Sequence, residues 1–404
     1  MNSQPLALLI VDDDPVFSLF VEQLVLSLGT ELPCRVSSVA TAEAGWTEIQ
    51  QTRFDLALMD YHLPGSSGLD LLAQVRTLPL ERQPAVIMLT GSGNEAVAVE
   101  AMKRGAKDYL QKHQVDVPSL LRAIQSALTQ KRLAEQVAAY HNQIQADLEL
   151  ARKLQQSLLP QRYPSFPHAA LPDQSRLRFE HRYFWAAQLG GDFFSVQSLS
   201  DTRAGILICD VMGHGVRSAL VTAMLRAMVG DLELYADDPG RFLSEMNHRL
   251  AVILKQIEES LYATAFYLVA DVATGEIRYA KAGHPLPLHL QRRAGEVTPL
   301  PVPKPAGAAL GLFENTVYAT SQRALTPGDV LLFFTDGLIE VANVDDEDFG
   351  PDRLQAAVRN RRELGLAGLL DGLVTEVRAY SATPEFADDV CLLGMEFTGP
   401  IVSS

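Results

Sequence analysis

"GDVLLFFTDGLIE", residues 328–340, contains an unbroken apolar run from Val330 to Phe334. Such a run is the pattern of a strand buried on both faces. Thr335-Asp336-Gly337 halts it with a carboxylate at its mouth. The same pattern recurs in "AGILICDVMGHG" (204–215), which runs into Asp210, and in "LALLIVDDDP" (6–15), which runs into Asp12, Asp13 and Asp14. "FDLALMDYHLPG" (54–65) likewise runs into Asp60. A bare anion at a strand end in a cleft loses hydration that little else restores. Acids gathered at such ends are therefore candidates for holding a cation. Taken singly, each reads as a helix cap or the start of a turn.

At 404 residues the chain is too long for one ordinary domain, so two or three are expected. Hydrophobic residues at 47% and charged residues at 21% describe globular material with ample core. A net charge of −15 argues against a nucleic-acid surface, which needs clustered Lys and Arg. Cys34, Cys209 and Cys391 are far apart with no CxxC pair, which predicts neither a disulfide framework nor a zinc site and fits a reducing cytoplasm. Cys209 and Cys391 lie in apolar runs and read as core. The N-terminus has no basic region and its apolar run stops at Val11, so neither a signal peptide nor a membrane span is expected.

Residues 1–118 alternate strand signals (6–11, 35–39, 54–59, 84–90, 108–111) with amphipathic stretches (15–28, 41–52, 68–77, 93–104). Repeated βα units of this length predict a doubly wound, five-strand parallel sheet whose ligands bind beyond the strand carboxyl ends. Residues 119–159 lack glycine and place Val137, Tyr140, Ile144, Ala151, Leu154 and Leu158 at spacings of three and four, interrupted by Asp147. This predicts a long helix ended by Pro160 and Pro164. A parallel coiled-coil homodimer and a helix lying on its neighbours are both open on this pattern. Residues 160–404 read as α+β, with strands at 178–185, 203–209, 261–271, 276–282, 329–335 and 389–397 and helices at 215–235, 240–258 and 366–379.

If Asp12, Asp13 and Asp60 share a site, two of them can bind Mg²⁺, which takes few protein ligands. The third can attack phosphorus, with Thr90 and Lys112 contacting the phosphoryl oxygens. "LLIVDDDP", "LMDYHLPG", "MLTGSG" and "GAKDYLQK", in this order, resemble the receiver domain of two-component response regulators. The resemblance implies a flavodoxin-like fold, Asp60 as phosphoacceptor, and Asp13 as an Mg²⁺ ligand with Asp12 beside it. It also implies the His62 carbonyl as a further ligand, Thr90 and Tyr109 as the switch pair, and a histidine kinase or phosphotransfer protein as partner. His113 stands where the family usually has proline after the lysine.

In the C-terminal part, "GGDFFSV" supplies Asp192, "CDVMGHG" Asp210, "FTDGL" Asp336 and "FADDVCLL" Asp388 and Asp389. Oxygen-only donors favour Mg²⁺ or Mn²⁺, and two such ions would activate a water and clamp a phosphate. With "ARKLQQSLLP" (151–160), "YATAFYLVADVATGE" and "KAGHPLPL", these motifs resemble the SpoIIE/RsbU branch of PPM-type serine/threonine phosphatases. The resemblance implies a β-sandwich flanked by helices and a site of two metals. Asp210 would bridge both, Asp192 and the Val211 carbonyl would serve one, and Asp336 and Asp388 the other, with Asp389 alongside. His214 matches the family's candidate general acid. Ser195 stands where many relatives carry another acid. Arg182 and Arg226 are candidates for gripping phosphate, His284 for holding a turn, and 299–311 for a substrate flap or a surface loop.

The reading is thus a cytoplasmic response regulator whose output is a metal-dependent protein serine/threonine phosphatase. The implied substrate is an anti-sigma-factor antagonist. The alternative is a phosphorylation-controlled adaptor that binds a stress sigma factor, or an anti-sigma partner, without turnover. Nucleic acid and membrane are not expected partners.

Overall fold

The computed structural model describes residues 5–29, 32–91, 95–256, 261–303 and 307–400; the side chains of 95–97 are not described. The chain separates into two compact units, Met1–Gln145 and Ala146–Ser404.

In the first unit, β1 (Leu6–Val11), β2 (Cys34–Val39), β3 (Leu56–Asp60), β4 (Ala85–Thr90) and β5 (Asp108–Gln111) form a parallel sheet in the order β2-β1-β3-β4-β5. Successive residues alternate between two cores. Leu9, Val11, Ala57, Met59 and Met88 enter one, and Leu8, Ile10, Leu58, Ile87 and Leu89 the other. Both faces are therefore dry, which is why these strands read as continuous apolar runs. The helices are α1 (Pro15–Ser27), α2 (Ala42–Gln51), α3 (Gly68–Val75), α4 (Glu95–Lys103) and the first part of α5 (Val117–Leu158), whose residues from Ala146 on belong to the second unit. Asp14 is a helix cap: its Oδ1 accepts from Val16 N and Phe17 N at 2.9 and 3.2 Å. The strand order reverses between β1 and β3, placing the ends of both at the switch point where such sheets bind ligands.

On α5, Leu120, Ala123, Ile124 and Ala127 are buried, whereas Val137, Tyr140, Ile144 and Leu154 are exposed.

The second unit is a sandwich of two antiparallel sheets. One contains β7 (Asp192–Ser198), β8 (Arg203–Val211), β9 (Ala263–Asp271), β10 (Glu276–Ala282) and β13 (Ser321–Ala324), in the order β13-β10-β9-β8-β7. The other contains β6 (Leu177–Phe184), β11 (Leu288–Gln291), β12 (Glu296–Pro299), β14 (Val330–Phe334) and β15 (Val390–Phe397), in the order β12-β11-β14-β15-β6. Phe194, Ile206, Ile208, Phe266 and Tyr279 from the first meet Phe179, Leu331, Phe333, Leu393 and Met395 from the second in one shared core. Helices α6 (Val216–Asp231) and α7 (Pro239–Gln256) cover the outer face of the first sheet. Helices α8 (Gly350–Asn360) and α9 (Leu366–Tyr380) cover the second.

Strands β7, β11, β12 and β13 and helix α8 add to the elements expected from sequence. Three of these strands have only four residues, too few for a period to register. Helix α8 is mostly polar and buries only Leu354, Ala357 and Val358. Ser92 and Gly93 of "MLTGSG", the end of the expected helix 240–258 and residues 304–306 of the proline-rich stretch lie outside the described residues.

Candidate functional sites

At the carboxyl ends of β1 and β3, Asp12, Asp13 and Asp60 bring ligand oxygens within 4.8 Å of one another, the one such group of three among the described residues. Asp12 and Asp60 are buried and Asp13 is exposed. Lys112, just past β5, lies 2.7 Å from Asp12 Oδ2 and 2.9 Å from Asp60 Oδ2. Its ammonium also sits 4.7 Å from the Phe17 ring centroid. Burial raises the Asp12 carboxyl above its usual range despite the lysine. Burial alone would lower Lys112, but its two carboxylate neighbours, Asp12 and Asp60, outweigh it and raise the ammonium's pKa. The Asp12–Lys112 pair is close yet poorly aligned: Asp12 Oδ2 is fully buried and accepts no well-directed hydrogen bond. A compact set of hard oxygen donors with unused lone pairs fits Mg²⁺.

Thr90 is buried at the end of β4, and Tyr109, on the neighbouring strand β5, is 40% exposed. His62 is exposed and bridges Ser67 through the backbone. Gly68 starts α3 so close to Asp60 that a Cβ there would sit 2.0 Å from the Asp60 carbonyl oxygen.

The second cluster is assembled from four separated segments. Asp192 opens β7 and lies directly across the ladder from Asp210 on β8. Asp336 follows β14 in a 3₁₀ turn, and Asp388 and Asp389 immediately precede β15. Exposure grades outward: Asp192 is buried, Asp210 and Asp336 are half-buried, and Asp388 is exposed. His214 is exposed just before α6, and Val211 is buried at the end of β8. A Cβ on Gly191 would meet the Val211 carbonyl oxygen at 2.5 Å, so glycine is what lets the two backbones close together.

The strongest charges acting on these carboxylates are each other's. Burial, then Asp336, Asp388 and Asp389, pushes Asp210 up to about 7. Burial, then Asp210, holds Asp192 well above the carboxylate range, and Asp336 is raised by burial and Asp388. Like charges packed without a fixed cation are the signature of a cation site. These donors are spread more widely than the Asp12 group.

Asp389 has a different geometry. Its Oδ1 accepts from Ala186 N at 2.9 Å and its Oδ2 from Gly191 N at 2.7 Å, so both oxygens hold the glycine loop. Three further residues shape that loop. Thr335 Oγ1 donates to Asp192 Oδ2 at 2.7 Å, Tyr183 Oη donates to the Asp192 carbonyl at 2.8 Å, and the buried Gln155 side chain bonds Gly190. Gln155 and Thr335 lie inside motifs quoted for other reasons, and no sequence spacing links either to Asp192.

Arg182 is tied to Asp371 at 2.6 Å, and Arg226 stacks 6.0 Å from the Phe193 ring. His284 is fully buried against the Thr264 hydroxyl at 2.7 Å, with burial pushing its pKa down to about 3, so its ring is neutral. Ser195 is buried on β7 opposite Leu207. Cys209 and Cys391 are buried free thiols. Among the described residues no helix is long and apolar enough to cross a membrane.

Comparison with known proteins agrees with this division. Residues 8–143 match the family model "Response regulator receiver domain", and residues 200–398 match "Stage II sporulation protein E (SpoIIE)". Phosphoserine phosphatase RsbP of Bacillus subtilis is 28% identical over 61% of this chain and 57% of its own length. Response regulator protein TmoT of Ectopseudomonas mendocina is 30% identical over 39% of this chain and 69% of its own. The chain thus spans little more than half the length of the phosphatase relative. Among solved structures, the SiaA-PP2C domain of Pseudomonas aeruginosa shares the fold, with a TM-score of 0.55 at 24% identity over 64% of this chain and 99% of that one. The chain belongs to the response regulators, with a receiver domain in its first unit, while residues 200–398 of its second unit match the SpoIIE family model.

Proposed function

We propose that this chain is a response regulator in which phosphorylation of Asp60 controls a divalent-cation-dependent phosphoserine/phosphothreonine protein phosphatase. One observation carries the reading. Acids from four separated segments converge, and their strongest electrostatic partners are one another.

In the first unit, a histidine kinase or phosphotransfer protein would donate the phosphoryl group to Asp60. Lys112 would then meet a phosphoryl oxygen where it now meets the carboxylate, and buried Thr90 would turn its hydroxyl to another. Asp12, Asp13 and the His62 carbonyl would hold Mg²⁺, and Tyr109 would follow Thr90.

In the second unit, Asp192, Asp210, Asp336, Asp388 and the Val211 carbonyl would hold two Mg²⁺ or Mn²⁺. When bound, such ions supply Lewis-acid polarisation of water and of phosphoryl oxygens. Asp389 and Thr335 keep Asp192 in place, and His214 would give the leaving seryl oxygen its proton. An anti-sigma-factor antagonist, the substrate the motif resemblance implies, is the proposed substrate, and the phosphoserine phosphatase relative supports phosphoserine as the group cleaved. A homodimer through the exposed apolar positions of α5 is proposed as the assembly.

The test is Mn²⁺-dependent release of phosphate from a phosphoserine protein and from p-nitrophenyl phosphate, comparing wild type with Asp336→Asn. The reading expects turnover in the wild type that falls at least about a hundredfold in the variant. Equal rates in the two would leave the adaptor.

A further inference from the structure

Beside the acid cluster, a cleft of about 630 Å³ is lined by Arg152 near the end of α5, Tyr183, Trp185 and Ala186 from β6 and its following loop, and Arg378 and Phe386. Its wall is built from groups that hold the acids: Tyr183 bonds the Asp192 carbonyl at 2.8 Å and Ala186 N bonds Asp389 Oδ1 at 2.9 Å. Both arginines are laid on aromatic rings. Arg152 sits 5.2 Å over Trp185, and Arg378 sits 4.5 Å over Phe184 and 5.3 Å over Phe386. A guanidinium stacked this way keeps its in-plane N–H groups free for a carboxylate. Among the described residues neither arginine has an ion pair or hydrogen bond, so those donors are unspent. Glu385 also lines the cleft without pairing to either.

We infer that this cleft seats an acidic stretch of the phosphoprotein substrate, with Arg152 and Arg378 as its anion contacts. The inference rests on the phosphatase reading above and names a recognition surface for it. Charge complementarity carries it. A chain of net charge −15 whose site is a knot of carboxylates repels an anionic protein and needs a local positive seat to hold one. Arg182, one of the two arginines expected from sequence, does not supply it, since it is paired with Asp371. The cleft is far larger than a phosphoryl group and matches a few residues of extended peptide.

The experiment uses the full chain with Trp46→Phe, leaving Trp185 as the sole tryptophan, and two phosphoserine peptides flanked by Asp/Glu or by Asn/Gln. Trp185 emission is expected to respond to the acidic peptide, and Arg152→Ala/Arg378→Ala to weaken its binding about tenfold or more. The same double variant should raise KM for the acidic peptide about tenfold, leaving kcat and the kinetics on p-nitrophenyl phosphate unchanged. The inference is overturned if wild type treats both peptides alike, if the double variant binds the acidic peptide as wild type does, or if p-nitrophenyl phosphate turnover falls in parallel. If wild type hydrolyses nothing, the phosphatase reading fails, and Trp185 emission still decides the cleft.

Discussion

Gln155 and Gly190 hold each other through both amide groups: Gln155 Nε2 donates to the Gly190 carbonyl at 2.6 Å, and Gly190 N donates to Gln155 Oε1 at 3.1 Å. A residue near the end of the 42-residue helix α5 thereby fixes the glycine pair that precedes Asp192. Position 190 has no room for a side chain, since a Cβ there would meet Asp389 Oδ2 at 2.7 Å and Tyr183 Oη at 2.8 Å.

Gln155→Leu strands a buried N–H and carbonyl, a cost of about 1–3 kcal/mol. The loop carrying Asp192 then loosens. Titrating Mn²⁺ against p-nitrophenyl phosphate turnover should give an apparent metal affinity about tenfold weaker, with kcat recovered at saturating metal. An unaltered metal curve would mean that the clamp does not position the site.

Asp210→Asn should stabilise the metal-free protein. The folded pKa of Asp210 is raised to about 7, so between the usual carboxylate range and about 7 the folded state binds more protons than the unfolded one. Stability in that window is lost as pH rises. In EDTA at pH 8 the variant should exceed wild type by about 1–3 kcal/mol, several degrees of melting temperature, and the gap should close towards pH 5. The difference between the two proteins cancels the opposing contribution of buried His284. A variant less stable than wild type at pH 8 would contradict the repulsion.

Thr335 is fully buried and does two things at once. Its Oγ1 donates to Asp192 Oδ2 at 2.7 Å and accepts from Cys391 N at 2.9 Å. Thr335→Val keeps the shape and removes both bonds, so urea unfolding should register a loss of about 1–3 kcal/mol. A change below about 0.5 kcal/mol would place the Asp192 support elsewhere.

In the receiver domain, Gly68→Ala drives a Cβ onto the Asp60 carbonyl oxygen, 2.0 Å away, and to 3.0 Å from Met88 Cε. Backbone cannot yield cheaply there, so a loss of about 2 kcal/mol or more is expected by thermal melting of the first transition. Phosphorylation of Asp60 by acetyl phosphate should fall with it. Wild-type stability and labelling would show that the β3–α3 junction is looser than its geometry.

The strand-mouth acids were readable because each terminates an apolar run, and such a run marks a buried strand whatever its partners. Asp192 was readable as an acid after two glycines, although its strand β7 carries too short an apolar stretch to announce itself. Gln155, Thr335 and Tyr183 were not readable, because what matters is a partner 35, 143 or 9 residues away, supplied only by sandwich packing. The same holds for Arg152 and Arg378, which lie on opposite sides of the sequence and meet only around the Trp185–Phe386 cleft. Asp389 was readable as an acid but not as the acceptor for Ala186 and Gly191, since those bonds depend on the β6–β7 loop folding back over β15.

The most direct measurement is anomalous diffraction from crystals of the full chain grown in Mn²⁺. The account predicts two adjacent Mn²⁺ peaks among Asp192, Asp210, Asp336 and Asp388, and the loss of at least one in Asp210→Asn. Carboxylates at those four positions with no manganese between them, at a concentration that fills the Asp12–Asp13–Asp60 group, would contradict it.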